Sequence, residues 1–130
     1  MLIASVLGLI SVVLGAFASH GLKKVISQND FQTFQVGVRY QMYHALLLLF
    51  IGSTTNIKDV VKKRMFWFIA VGLLLFSGSI YGLATNQLTE FDFTKIGFIT
   101  PIGGLLLILA WLTLVLNFFN LKEELYLFIN

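Results

Sequence analysis

Uncharged apolar stretches, separated by short polar segments, divide the chain into four parts of similar length. From Leu2 to Leu22 no residue is charged unless His20 is protonated, and about 20 apolar residues is the length that a hydrocarbon core of roughly 30 Å asks of a helix. This predicts a helix over 2–22. Asp30 is placed as the N-cap of a second helix, because Phe31, Phe34 and Val38 follow it at helical spacing, and the pattern carries on to about Ser53. A third helix is expected over 65–88, after the basic segment Lys58–Arg64. Thr100 followed by Pro101 predicts the start of a fourth, over 101–121, since Thr can cap free amides and Pro at the first helical position lacks only a donor that would be unpaired anyway. The expectation is an all-α integral membrane protein: one domain, a four-transmembrane-helix antiparallel bundle.

Composition moves the reading in the same direction. Hydrophobic residues make up 58% of the 130 and charged residues 12%, against roughly 45–50% and about 25% in soluble domains. A soluble domain this small cannot hide so much apolar surface, because much of it must stay at the boundary with solvent. Ala16-Phe17-Ala18 looks like a signal-peptidase site, but no Lys or Arg precedes the apolar run, so a helix that stays in the membrane is expected. The net charge of +3 comes from dispersed loop residues and forms no basic stripe with aromatics between, which argues against nucleic acid. With no cysteine there is no disulfide, thiolate nucleophile or thiolate metal site.

Small residues recur at four-residue spacing: Ala4 and Gly8, then Ser11, Gly15 and Ser19, and later Gly78 and Gly82. In lipid such faces let helix backbones approach closely, either within one bundle or between copies in a homo-oligomer. Both uses remain open at this point.

Ionisable groups within membrane spans are costly, which singles out His20, Arg39 and His44, all assigned to the outer half. Tyr40 and His44 share a helix face, Ser77, Ser79 and Tyr81 rise toward the same layer on helix three, and Thr100 and Gly103 stand at the amino end of helix four, whose amides attract anions. This layer is expected to form a polar pocket for a lipid headgroup or small amphiphile. No carboxylate or thiolate lies inside a span to complete a metal site or a Ser-His-acid triad, so a non-enzymatic protein without metal or cofactor is expected.

The strings Gly15-Ala-Phe-Ala-Ser-His-Gly-Leu22, Arg39-Tyr-Gln-Met-Tyr-His-Ala-Leu46, Phe76-Ser-Gly-Ser-Ile-Tyr81 and Thr100-Pro-Ile-Gly-Gly104 occur in that order. Together they resemble the bacterial membrane-protein family called domain of unknown function 423, a relative of the eukaryotic transmembrane protein 256 family. The resemblance implies a four-helix inner-membrane protein without an established biochemical activity. The family's marked positions fall on Gly15, His20, Gly21, Tyr40, Gln41, His44, Ser77, Gly78, Ser79, Tyr81, Thr100, Pro101, Gly103 and Gly104. Ala18 stands where the pattern has glycine, and Arg39 is not a fixed part of it.

Three functions fit these observations: a lipid- or amphiphile-binding membrane protein, a small transporter with His44 as proton carrier, and an accessory subunit of a membrane complex with an unknown protein partner. Lys58, Lys62, Lys63, Arg64 and Lys122 fall on one face of the membrane, against Lys23, Lys24, Arg39 and Lys95 on the other. Basic residues collect on the cytoplasmic side, so both termini are expected there. Single cysteines at Asn56 and Asn86 test this on intact cells. Asn86→Cys should react with an impermeant thiol reagent and Asn56→Cys only after lysis; the reverse pattern would invert the topology.

Overall fold

The computed structural model describes Met1–Asn130 and contains only helices: α1 (Leu2–His20), α2 (Gln28–Ser53), α3 (Asp59–Ala84) and α4 (Ile99–Ile129). Short 3-10 turns at Leu22–Lys24, Asn86–Leu88 and Phe93–Ile96 fill two of the connections.

Several helix ends differ from the sequence expectation, each for a local reason. Ser27 rather than Asp30 caps α2: its hydroxyl accepts the Asp30 amide at 3.1 Å, and Asp30 sits in the first turn, where a carboxylate suits the positive end of the helix. The basic segment belongs to α3, which starts at Asp59, so Lys62, Lys63 and Arg64 occupy its first two turns. Thr100 does not cap α4, which begins at Ile99 without any side-chain cap and takes Pro101 into its first turn. No Gly or Pro follows Leu121, and α4 continues through Lys122-Glu123-Glu124 to Ile129.

Three stretches are long and apolar enough to cross a membrane: Leu2–Lys24, α3 and α4. Of the four spans expected, α2 is not among these three: it is long enough, about 39 Å at 1.5 Å per residue, but carries many polar residues from Gln28 to Arg39 and again at Gln41 and His44. Packing explains how α2 carries these groups. It lies between α1 and α3, bonds both through the buried Gln41 and turns the buried His44 toward Trp111 of α4.

Strong contacts run between neighbours in sequence, α1 with α2, α2 with α3 and α3 with α4. One core draws on all four helices through Ala4, Leu47, Met65, Ile69, Leu107 and Ala110, with Met65 and Ile69 fully buried. A second, smaller cluster joins Ala18, Leu22, Phe34, Val38 and Ala84 near the other end.

The small-residue stripes divide in two. On α1 they face α2: Gly15 stands against Val38 and Gly8 against Ala45, and Ala4, Ser11 and Ala18 are buried. On α3, Gly82 lies beneath the Phe93 ring, whereas Gly78 is exposed with nothing near its Cβ position. The closest approach is at Gly103, where a Cβ would meet the α3 backbone, 2.8 Å from the Gly72 carbonyl oxygen. Gly103→Ala should therefore lower stability by about 1–3 kcal/mol through overpacking, while Gly78→Ala is neutral or stabilising by up to about 1 kcal/mol from helix propensity. Thermal unfolding of the two variants in detergent checks the contrast; equal melting would place the close contact elsewhere.

A polar seam as the candidate functional site

Interhelical hydrogen bonds cross the apolar bundle at four interfaces. At the α1–α2 interface the Gln41 amide donates to the Leu7 carbonyl at 2.9 Å, and the same carbonyl accepts from the Ser11 hydroxyl at 3.0 Å. Between α2 and α3, the Tyr81 hydroxyl donates to Gln41 Oε1 at 2.8 Å and the Ser77 hydroxyl to the Gly37 carbonyl at 2.9 Å. The Ser79 and Thr100 hydroxyls bond each other between α3 and α4. Trp111 on α4 reaches α2, its indole N–H donating to His44 Nε2 at 3.1 Å.

The His44 tautomer follows from its partners. An indole nitrogen can only donate, so Nε2 must accept; Nδ1 lies 2.7 Å from the Tyr40 carbonyl, which can only accept, so Nδ1 carries the proton. Both ring nitrogens are thus engaged in the neutral form. Every buried side-chain nitrogen and oxygen in the protein has a partner, as an apolar surrounding requires.

Gly37 gives Tyr81 its place. A Cβ there would come within 2.7 Å of the Tyr81 ring, so only glycine leaves room for the ring to lie beside α2, tilted against Phe34 at 4.8 Å.

The residues singled out from sequence do not all meet. His44 buries beside the half-exposed Tyr40, Ser77, Ser79, Tyr81 and Thr100 join the bonds just described, and Gly103 serves helix contact. His20 ends α1 exposed and Arg39 is exposed on α2, and neither makes a side-chain hydrogen bond or ion pair. Nor is His44 in one layer with Thr100. Gly15 pairs with Val38 and Gly8 with Ala45, which sets His44 level with the middle of α1. The early start of α2 puts more of the helix above His44 than the sequence reading allowed.

Two partners escaped the sequence analysis. Gln41 was marked only through the family resemblance, with no role of its own, yet it is the only side chain whose hydrogen bonds link three helices. Trp111 went unmarked within an apolar run, and nothing in its spacing ties it to His44.

Beyond the seam, the α3–α4 connection is held by its own groups. Asn86 Oδ1 accepts the Phe93 amide at 2.7 Å, and Asp92 accepts the Thr94 hydroxyl at 2.6 Å and its amide at 3.1 Å. The Thr94 hydroxyl, then its amide, hold the Asp92 carboxyl below the usual carboxylate value. Asp92 therefore serves its own loop.

Long apolar helices joined by internal hydrogen bonds define the class: a small helical integral membrane protein. The chain belongs to the family described as "Protein of unknown function (DUF423)", whose profile matches residues 14–104. It is 38% identical to a UPF0382 membrane protein of Staphylococcus haemolyticus over 112 residues, 86% of this chain and 88% of that one. It is 34% identical to the UPF0382 membrane protein YwdK of Bacillus subtilis over 119 residues, 88% and 91% of the two chains. With the UPF0382 inner membrane protein YgdD of Escherichia coli it shares 32% identity over 127 residues, 95% and 92% of the two chains. No solved structure matches it.

The seam predicts a measurable coupling. Tyr81→Phe and Gln41→Leu should each destabilise by about 0.5–1.5 kcal/mol, the range for hydrogen bonds between membrane helices. The double variant should cost less than the sum, because the pair's bond is lost only once. Strict additivity in detergent unfolding would mean that the Tyr81 to Gln41 bond contributes nothing.

Proposed function

We propose that this is a non-enzymatic protein of the inner membrane with four antiparallel spans and both termini cytoplasmic, which holds a small amphiphile against the aromatic surface between α2 and α4. The span assignment for α2 is supported by its length and by the partners that the other helices give Gln41 and His44.

One observation carries the binding reading. Around the buried His44 stand three aromatic rings that are about half exposed, Tyr40 at 41%, Tyr43 at 53% and Trp111 at 46%. Tyr40 also packs on Phe76 at 5.0 Å. Neither tyrosine hydroxyl bonds within the chain, so an apolar surface with unspent hydroxyls faces the lipid. Amphipathic rings of this kind suit a ligand with one apolar and one polar end. In this reading His44 is a positioning residue that fixes the Trp111 indole. The expected outer-half headgroup pocket of His20, Tyr40, His44, Ser77, Ser79, Tyr81, Thr100 and Gly103 gives way to a narrower surface. Ser79 and Thr100 are taken up with each other, Tyr81 with Gln41 and Ser77 with backbone, and the depth of His44 favours a small amphiphile over a headgroup.

Transport with His44 as proton carrier is disfavoured by the engagement of both its ring nitrogens. The accessory-subunit reading has one feature on its side: Leu125, Tyr126, Leu127, Phe128 and Ile129 are each more than half exposed at the end of α4. Stoichiometric co-purification of a protein partner from native membrane would favour it.

His44→Ala should lower amphiphile retention in native mass spectrometry while the protein stays folded, and His44→Gln should do so less, because it keeps a hydrogen-bonding group near Trp111. Equal retention in all three proteins would refute the binding surface. Melting in step with lost retention would leave His44 purely structural.

A further inference from the structure

A second site, apart from the aromatic surface, lies at the end of the bundle where α2 turns into α3. A cleft of about 500 Å³ opens there between the start of α3, the loop before it and the far part of α4, a volume typical of small-ligand sites. In a chain so rich in apolar residues, only three of its eleven lining residues are hydrophobic.

Its depth is fixed by helix length. Asn117 lies eighteen residues along α4 from Ile99, about 27 Å at 1.5 Å per residue, which is close to the full thickness of a hydrocarbon core. The cleft thus stands at headgroup level, on the face that carries the larger count of basic residues.

The lining is divided by chemistry. Lys58 and Arg64 supply cationic donors and Asn120 an amide, while Val61, Leu116 and Leu121 form apolar wall. Some of the polar groups are already committed: Asn117 donates to the Asn56 carbonyl at 3.3 Å, and Glu124 lies 3.7 Å from the Lys58 ammonium. The Arg64 guanidinium and the Asn120 amide make no bond within the chain. A guanidinium offers a planar pair of donors that matches two phosphate oxygens. Basic pockets between membrane helices on the cytoplasmic side suit anionic headgroups.

We propose that this cleft binds the phosphate diester of an anionic phospholipid, with Arg64 and Asn120 on the phosphate oxygens, Lys58 beside them, and one acyl chain along Val61, Leu116 and Leu121. The apolar wall favours a lipid over free phosphate, which would leave that wall without a partner.

Nanodiscs mixing phosphatidylglycerol and phosphatidylcholine provide the test, with native mass spectrometry reading the enrichment of phosphatidylglycerol on the intact protein. Arg64→Gln should reduce enrichment about fivefold, the worth of one basic residue near an anionic surface. Asn120→Leu, which leaves the charge unchanged, should also reduce it, whereas Lys23→Gln at the other face should not. Both site variants should melt like the parent, since the two side chains are exposed and unbonded. An equal loss for Arg64→Gln and Lys23→Gln with none for Asn120→Leu would reduce the effect to general charge attraction and overturn the proposal. Displacement of the lipid by millimolar inorganic phosphate would overturn the choice of lipid as occupant.

Discussion

A polar group inside a bilayer has only its own protein to bond with, and the arrangement of this molecule around Gln41 follows from that constraint. The amide donates to α1 and accepts from α3, so one side chain fixes α2 against both neighbours. A serine to glycine carbonyl bond reinforces the α2–α3 contact, and serine to threonine and indole to imidazole repeat the solution where α4 meets α3 and α2. Each is worth little alone, about 0.6 kcal/mol on average in a membrane. Their effect is on register, because apolar faces can slide past one another without loss and a hydrogen bond cannot.

Much of this was legible in the sequence, and the part that was not has a physical explanation. Runs of apolar residues long enough for a membrane announced α1, α3 and α4, since length and charge are the only properties required. The ends were less readable. Ser27 and Asp30 are both good caps, and the choice between them depends on where the preceding turn delivers the chain. The Thr100 hydroxyl looked free for a cap and was instead claimed by Ser79, a residue 21 positions away. The polar layer was recognised residue by residue, but its connections were not, because Gln41 to Tyr81 and His44 to Trp111 are separations of 40 and 67 residues with no local trace. His44 was set too near the surface for a related reason: depth depends on where a helix begins, the least readable point.

Glycine shows the same split between pattern and partner. Gly15, Gly78 and Gly103 look alike in sequence, all within runs of small residues. They prove to be, in turn, an ordinary contact with Val38, an open face and a near collision of two backbones. Spacing identifies a face on which close approach is allowed, and only the neighbouring helix decides whether it happens.

Packing between sequence neighbours carries a consequence for biogenesis. A chain leaves the ribosome from its amino end, so the α1–α2 hairpin can insert with the Gln41 bond to Leu7 already made. The carbonyl end of that amide then waits for a donor until Tyr81, forty residues later, has been synthesised. During that interval the half-built protein presents an acceptor to the lipid side of α2. The bond to Tyr81 closes that gap on one face of α2, so a single glutamine joins an early contact of the chain to a later one.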